Sequence, residues 1–172
     1  MRRKTALPAV LTLIATLSAG ACTSDDINEP LPRRSEAKTL AWAKQYTSAM
    51  ARHAEVRITD DPAPRKHFEE CIGRDGEIAD DGRYQLSYAA YANLPEAEHI
   101  AAVRKLRKEL EDHGVRVTSH TERPETPEVI LYGANDKQQF SVTADSVNPP
   151  GTLRLEVSTP CFLPPGVKQQ QF

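Results

Sequence analysis

Residues 128–158 read EVILYGANDKQQFSVTADSVNPPGTLRLEVS, and this stretch decides the fold. It holds three short strand candidates, Glu128–Tyr132, Gln139–Ala144 and Leu153–Ser158, with a turn between each pair. Gly133-Ala134-Asn135-Asp136-Lys137 is a hairpin turn, and Val147-Asn148-Pro149-Pro150-Gly151 is another. In the last strand Leu153, Leu155 and Val157 alternate with Arg154 and Glu156, the period-2 pattern of a strand with one buried face. A fourth candidate, Val115–Ser119, lies upstream across a Pro-rich loop, RPETPE. Strands joined by such short connections must pair antiparallel, because parallel neighbours need a long crossover.

Upstream of these strands, Pro95 opens a helix whose buried stripe is Ile100, Val103, Leu106 and Leu110, ending at the C-cap glycine Gly114. Before it, Tyr84–Tyr91 alternates apolar and polar residues through Ala90, and Phe68–Ile72 is a short strand carrying Cys71. Ser35 caps a first helix from Glu36 to about Val56, with Leu40, Ala43, Tyr46, Met50 and His53 or Ala54 at helical spacing. The order α-β-β-α-β-β-β-β predicts an α+β fold: a two-layer sandwich in which two helices cover one face of a single, largely antiparallel sheet. The domain is expected to span residues 35–166, with 167–172 (VKQQQF) frayed.

The first residues are not part of that domain. Arg2, Arg3 and Lys4 precede an apolar run, Leu7–Leu17, and then the small residues Ser18-Ala19-Gly20-Ala21 directly before Cys22. These are the three parts of a signal peptide, 1–21, too short for a spanning helix. The Arg2-Arg3 pair lacks the residues that should follow it in a twin-arginine signal. Ala19-Gly20-Ala21-Cys22 resembles the lipobox of bacterial lipoproteins, in which the cysteine is lipidated and becomes the first residue of the mature chain. That implies a membrane anchor through lipid on Cys22, on the extracytoplasmic face of the cell membrane. The alternative is ordinary secretion with a free Cys22. Residues 22–34, rich in acids, amides and proline, read as a flexible tether whose last twelve residues typically span about 20 Å and at most about 40 Å.

Residues 1–21 hold three of the 22 bases and none of the 24 acids, which takes the net charge from −2 to −5. So acidic a domain has no electrostatic footprint for nucleic acid or anionic head groups, and it should hover on its lipid without adhering to the membrane. With Cys22 lipidated, Cys71 and Cys161 remain, an even pair in an oxidising compartment and therefore a disulfide. A nucleophilic Cys71 or a two-thiol metal site lacks the neighbours it needs, since no histidine lies within a few residues of Cys161 and no C-x-x-C is present.

Motifs for chemistry are mostly missing. There is no G-x-S-x-G, H-E-x-x-H, P-loop or dinucleotide fingerprint, and no cofactor is expected. Asp75, Glu77, Asp80 and Asp81 make an acidic loop that could bind calcium weakly, although Asp-Gly pairs are ordinary turn makers. Glu109 with His113, and Glu96 with His99, have metal-ligand spacing on the second helix. A favourable charge at the helix C-terminus accounts for His113 equally well, and His53 reads as a packed residue. Paired acids for glycoside hydrolysis would need an aromatic cleft, and aromatics are only 6% of the chain. Tyr84 and Tyr88 read as core, leaving Tyr91 and Trp42 as surface anchors for a partner.

Taken together, the lipobox cysteine, Trp42, the Cys71 strand, Gly82-Arg83-Tyr84, the helix VRKLRKELEDHG and the closing VSTPCFLPPG resemble small lipoproteins of uncharacterised function from high-GC Gram-positive bacteria, distantly the LppA-like group. The resemblance implies an envelope protein without assigned catalytic residues. The expectation is therefore a lipid-anchored, non-catalytic module that binds an envelope protein or ligand, with a cell-envelope hydrolase or a weak calcium-binding module as alternatives. Its partner face is expected on the outward side chains Arg83, Gln85, Tyr91, Arg154 and Glu156.

Overall fold

The computed structural model describes residues 28–73, 76–149 and 151–172. The signal peptide, Cys22, the start of the tether and Asp75 lie outside the described residues. The elements are α1 (Glu36–His53), β1 (Ile58–Thr59), β2 (Arg65–Glu70), β3 (Tyr84–Asn93), α2 (Glu96–Asp112), β4 (Arg116–Arg123), β5 (Glu128–Asn135), β6 (Phe140–Val147) and β7 (Thr152–Ser158). The two helices pack on one antiparallel sheet of seven strands, the expected α+β sandwich.

The sheet order is β1-β3-β7-β6-β5-β4, with β2 also on the outer edge of β3. The last four strands form a meander, as their short turns require. α2 carries the chain from β3 to the far edge, and the meander returns it to β3. α1 consequently covers β3 and β7, and α2 covers β4, β5 and β6. Beneath them Leu86, Leu131, Val142, Leu153, Leu155 and Val157 are almost fully buried, all from the face that alternation assigns to the core. Gly133 belongs to this layer because a Cβ there would meet Val115 Cγ1 at 2.7 Å.

α1 is set down by a stripe that keeps the expected Ala43, Met50 and Ala54 but replaces Leu40 and Tyr46 with Thr39 and Thr47. Thr39, Ala43, Thr47 and Met50 are buried while Leu40 and Tyr46 flank the core, since the small residues allow the helix to lie close to the sheet. Ser35 caps it by accepting the Lys38 N–H. Trp42 is not a free surface anchor: its ring packs 5.4 Å from both Tyr46 and Phe140. Beyond β7, Thr159 continues the ladder where Pro160 cannot, its hydroxyl accepting the Leu86 N–H at 2.9 Å. Cys71, just past β2, and Cys161, just past this extension, lie at disulfide distance with Cα atoms 6.0 Å apart. They bridge across the start of β3.

Two segments expected to be loose are docked. The tail has too few apolar groups to be held by burial, and it is held by hydrogen bonds. Gln169 Oε1 accepts the Leu31 N–H, and Gln169 Nε2 donates to the Glu29 carbonyl. Asn28 and Phe172 exchange two hydrogen bonds through the Asn28 amide. Residues 32–34 run parallel to Leu163, whose N–H donates to the Pro32 carbonyl and whose carbonyl accepts the Arg34 N–H. Residues 28–34 therefore belong to the fold, and any free tether ends before Asn28.

Candidate functional site

The face of the sheet opposite the helices carries the side chains that alternation turns outward, and the strand register sets them in rows. One row runs Ile130, Asp145, Arg154, Tyr91, from β5 to β3. The next runs Tyr132, Thr143, Glu156, Ala89. At their centre Arg154 donates from Nε to Asp145 Oδ1 at 2.8 Å and from Nη2 to Oδ2 at 3.0 Å, a bidentate pair between residues directly opposed across strands. Glu156 Oε2 lies 3.5 Å from the same guanidinium. The Asp145 hydrogen bonds raise the Arg154 pKa above its ordinary value, so the cation is fixed in charge and in direction. Two strands away, on β5, Tyr132 stands 43% exposed. A shallow groove of about 380 Å³ opens at one end of the face, lined by Thr121, Arg123, Glu128, Ile130 and Asp145.

Of the expected partner residues, Gln85, Arg154 and Glu156 lie half-buried on this face. Tyr91 is on it but only 6% exposed, with the Arg65 guanidinium 6.0 Å from its ring centroid, so it supports the surface more than it forms it. Arg83 is not on it. That residue precedes β3, where strand alternation does not apply, and it is buried against Asp81 through Nε–Oδ1 at 2.9 Å and Nη2–Oδ2 at 2.6 Å. It also donates to the Gln170 carbonyl at 2.8 Å, while the Gln170 N–H donates to Asp81 Oδ2. A glutamate at position 83 would face Asp81 in a buried site, so the outward reading of Arg83 is wrong. Sequence reasoning missed Tyr132 and Asp145, although Val129 and Leu131 pointing inward signal Ile130 and Tyr132 pointing outward.

Among the described residues of the acidic loop, Glu77, Asp80 and Asp81 do not assemble as a metal cage. Asp81 is committed to Arg83 and Gln170, which hold its carboxyl well below the usual carboxylate range, the Arg83 hydrogen bonds foremost. The Asp80 N–H donates to Gln170 Oε1. His99 is buried with both ring nitrogens engaged: Nδ1 lies 2.9 Å from Ser146 Oγ and Nε2 lies 3.1 Å from the Leu94 carbonyl, which excludes a metal pair with Glu96. His113 Nδ1 lies 2.7 Å from the Glu109 carbonyl, whereas the Glu109 carboxylate reaches toward His53 at 3.4 Å, so Glu109 and His113 do not converge as a pair. Among the described residues no group of three His, Cys, Asp or Glu is placed to hold a metal ion.

What the open face offers chemically is recognition. It presents a fixed cation flanked by two carboxylates, hydroxyls on Thr143, Ser87 and Ser158, and one exposed phenol ring. Among the described residues no helix is long and apolar enough to cross a membrane. No protein-family model, no curated protein and no solved structure matches the chain.

Proposed function

We propose that this protein is a lipid-anchored, extracytoplasmic, non-catalytic binding module of the cell envelope, held by Cys22 and meeting a polar protein or ligand on the open sheet face. The observation that carries the reading is Cys22 itself, directly after Ala19-Gly20-Ala21 and a charged-then-apolar leader. Cys71 and Cys161 at disulfide distance agree with an oxidising compartment. The non-catalytic part is supported by the state of the acids on that face: Asp145 and Glu156 are both turned to Arg154, which leaves neither in the role of a free acid–base pair.

On this reading Tyr132 is the anchor of the interface and Arg154 its orienting charge, the residue types that dominate binding energy in small interfaces. A photo-crosslinking amino acid at position 143, in the row of Tyr132 and one row from Arg154, should capture a defined partner in intact cells. Tyr132→Ala should weaken that capture by about tenfold or more, the effect of losing on the order of 2 kcal/mol at a central contact. Arg154→Gln combined with Asp145→Asn should weaken it similarly without leaving the Asp145 carboxylate, itself only 9% exposed, buried and unpaired. Capture indifferent to both changes, in chains that melt normally, would remove the open face from the reading.

A further inference from the structure

Four large apolar side chains are prominently exposed among the described residues: Ile72 at 67%, Ile78 at 53%, Tyr132 at 43% and Phe172 at 41%. Tyr132 lies on the open face. The other three lie on two segments, the acidic loop and the tail, that hydrogen bonds tie together. Ile72 and Ile78 bridge each other across the acidic loop. Two residues beyond Ile78, the Asp80 N–H is bonded to Gln170, and Gln170 is tied in turn to Arg83, whose guanidinium lies 5.3 Å from the Phe172 ring centroid. Phe172 exchanges hydrogen bonds with Asn28. Loop, tail and the first described residue are thus knitted into one edge of the domain.

Cys22 is six residues before Asn28, so even fully extended chain places it within about 20 Å of that edge. Single exposed apolar residues are ordinary on a protein surface. Here three of the four gather where the chain leads back toward the anchoring cysteine. We propose that Ile72, Ile78 and Phe172 form a membrane-contact edge that enters the interfacial layer of the lipid bilayer and orients the domain on it. This rests on the lipid-anchor reading and departs from the expectation of a domain hovering on its tether. Because residues 28–34 are docked, the greatest reach of the free chain falls from about 40 Å to about 20 Å, which holds this edge closer to the head groups. With Glu77 and Asp80 alongside, the contact is apolar and not electrostatic, and a zwitterionic membrane suffices. The open face, on other elements, stays available to a partner.

The test uses the full mature chain purified from membranes and reconstituted into vesicles of dibrominated phosphatidylcholine, which quenches tryptophan at the bilayer. In a Trp42→Phe background, Ile78→Trp and Ile72→Trp place the single tryptophan on the edge, and Tyr132→Trp places it on the open face. Fluorescence of the edge variants should be roughly halved relative to unbrominated vesicles, with the open-face variant nearly unchanged. Intact mass shows whether Cys22 carries lipid. A lipidated chain whose edge variants escape quenching, or are quenched no more than Tyr132→Trp, overturns the membrane edge alone. A chain without lipid overturns the anchor reading and the edge with it.

Discussion

Cys71→Ala with Cys161→Ala is expected to lower the unfolding free energy by about 4–5 kcal/mol in the chain-entropy account of a closed 90-residue loop. The two cysteines flank the start of β3, one past β2 and one past the extension of β7, so the bond pins an edge of the sheet to its interior. Domains of this kind have only about 5–15 kcal/mol of total stability, and a loss of that size would leave the double variant near the limit of folding. Urea titration of wild type with and without reductant, beside the double variant, measures it. A midpoint that does not move on reduction would mean that the two thiols are unbonded in the native protein.

The second large effect concerns Arg83. Replacing it with methionine leaves the Asp81 carboxylate buried without its cation, at a cost on the order of 3 kcal/mol. It also removes the donor to Gln170, so residues 167–172 should loosen and exchange their amide hydrogens faster. The pH dependence has a definite sign. The Asp81 carboxyl is depressed in the folded state, so its contribution is fully present above the unfolded value of about 4 and is lost as pH falls toward the folded value. The stability gap between wild type and Asp81→Asn should therefore be constant from neutral pH down to about 5 and narrow below about 4. A gap that stays unchanged down to pH 2 would show that the pair does not control acid stability.

The fold was largely legible because its elements carry strong local patterns. Ile100, Val103, Leu106 and Leu110 mark α2 by spacing alone, and the short turns around Asn135 and Pro149 force the meander. The position of β7 beside β3 was not legible, since strand order depends on pairings between residues about sixty to seventy apart. β2 was read three residues late because its pattern, RKHFEE, belongs to an edge strand with almost nothing to bury. The docked tail left no signal in composition, because glutamine side chains and backbone amides hold it while apolar burial contributes little. Arg83 failed for a related reason: its partners are Asp81, two residues away in a turn, and Gln170, 87 residues along the chain. The open face was half legible. Alternation along β7 located Arg154 and Glu156, but Asp145, which fixes the arginine, comes from the neighbouring strand.

The described domain has one face closed by helices, one edge latched by the tail, and one polar face without a helix on it. The central proposal is the lipid on Cys22, and metabolic labelling with a fatty acid tests it most directly. Wild-type protein should take up label and sediment with membranes. The Cys22→Ala chain should take up none, and should be found in the medium or as uncleaved precursor. Equal labelling of the two chains, or an unlabelled wild type of mature length, would contradict the account.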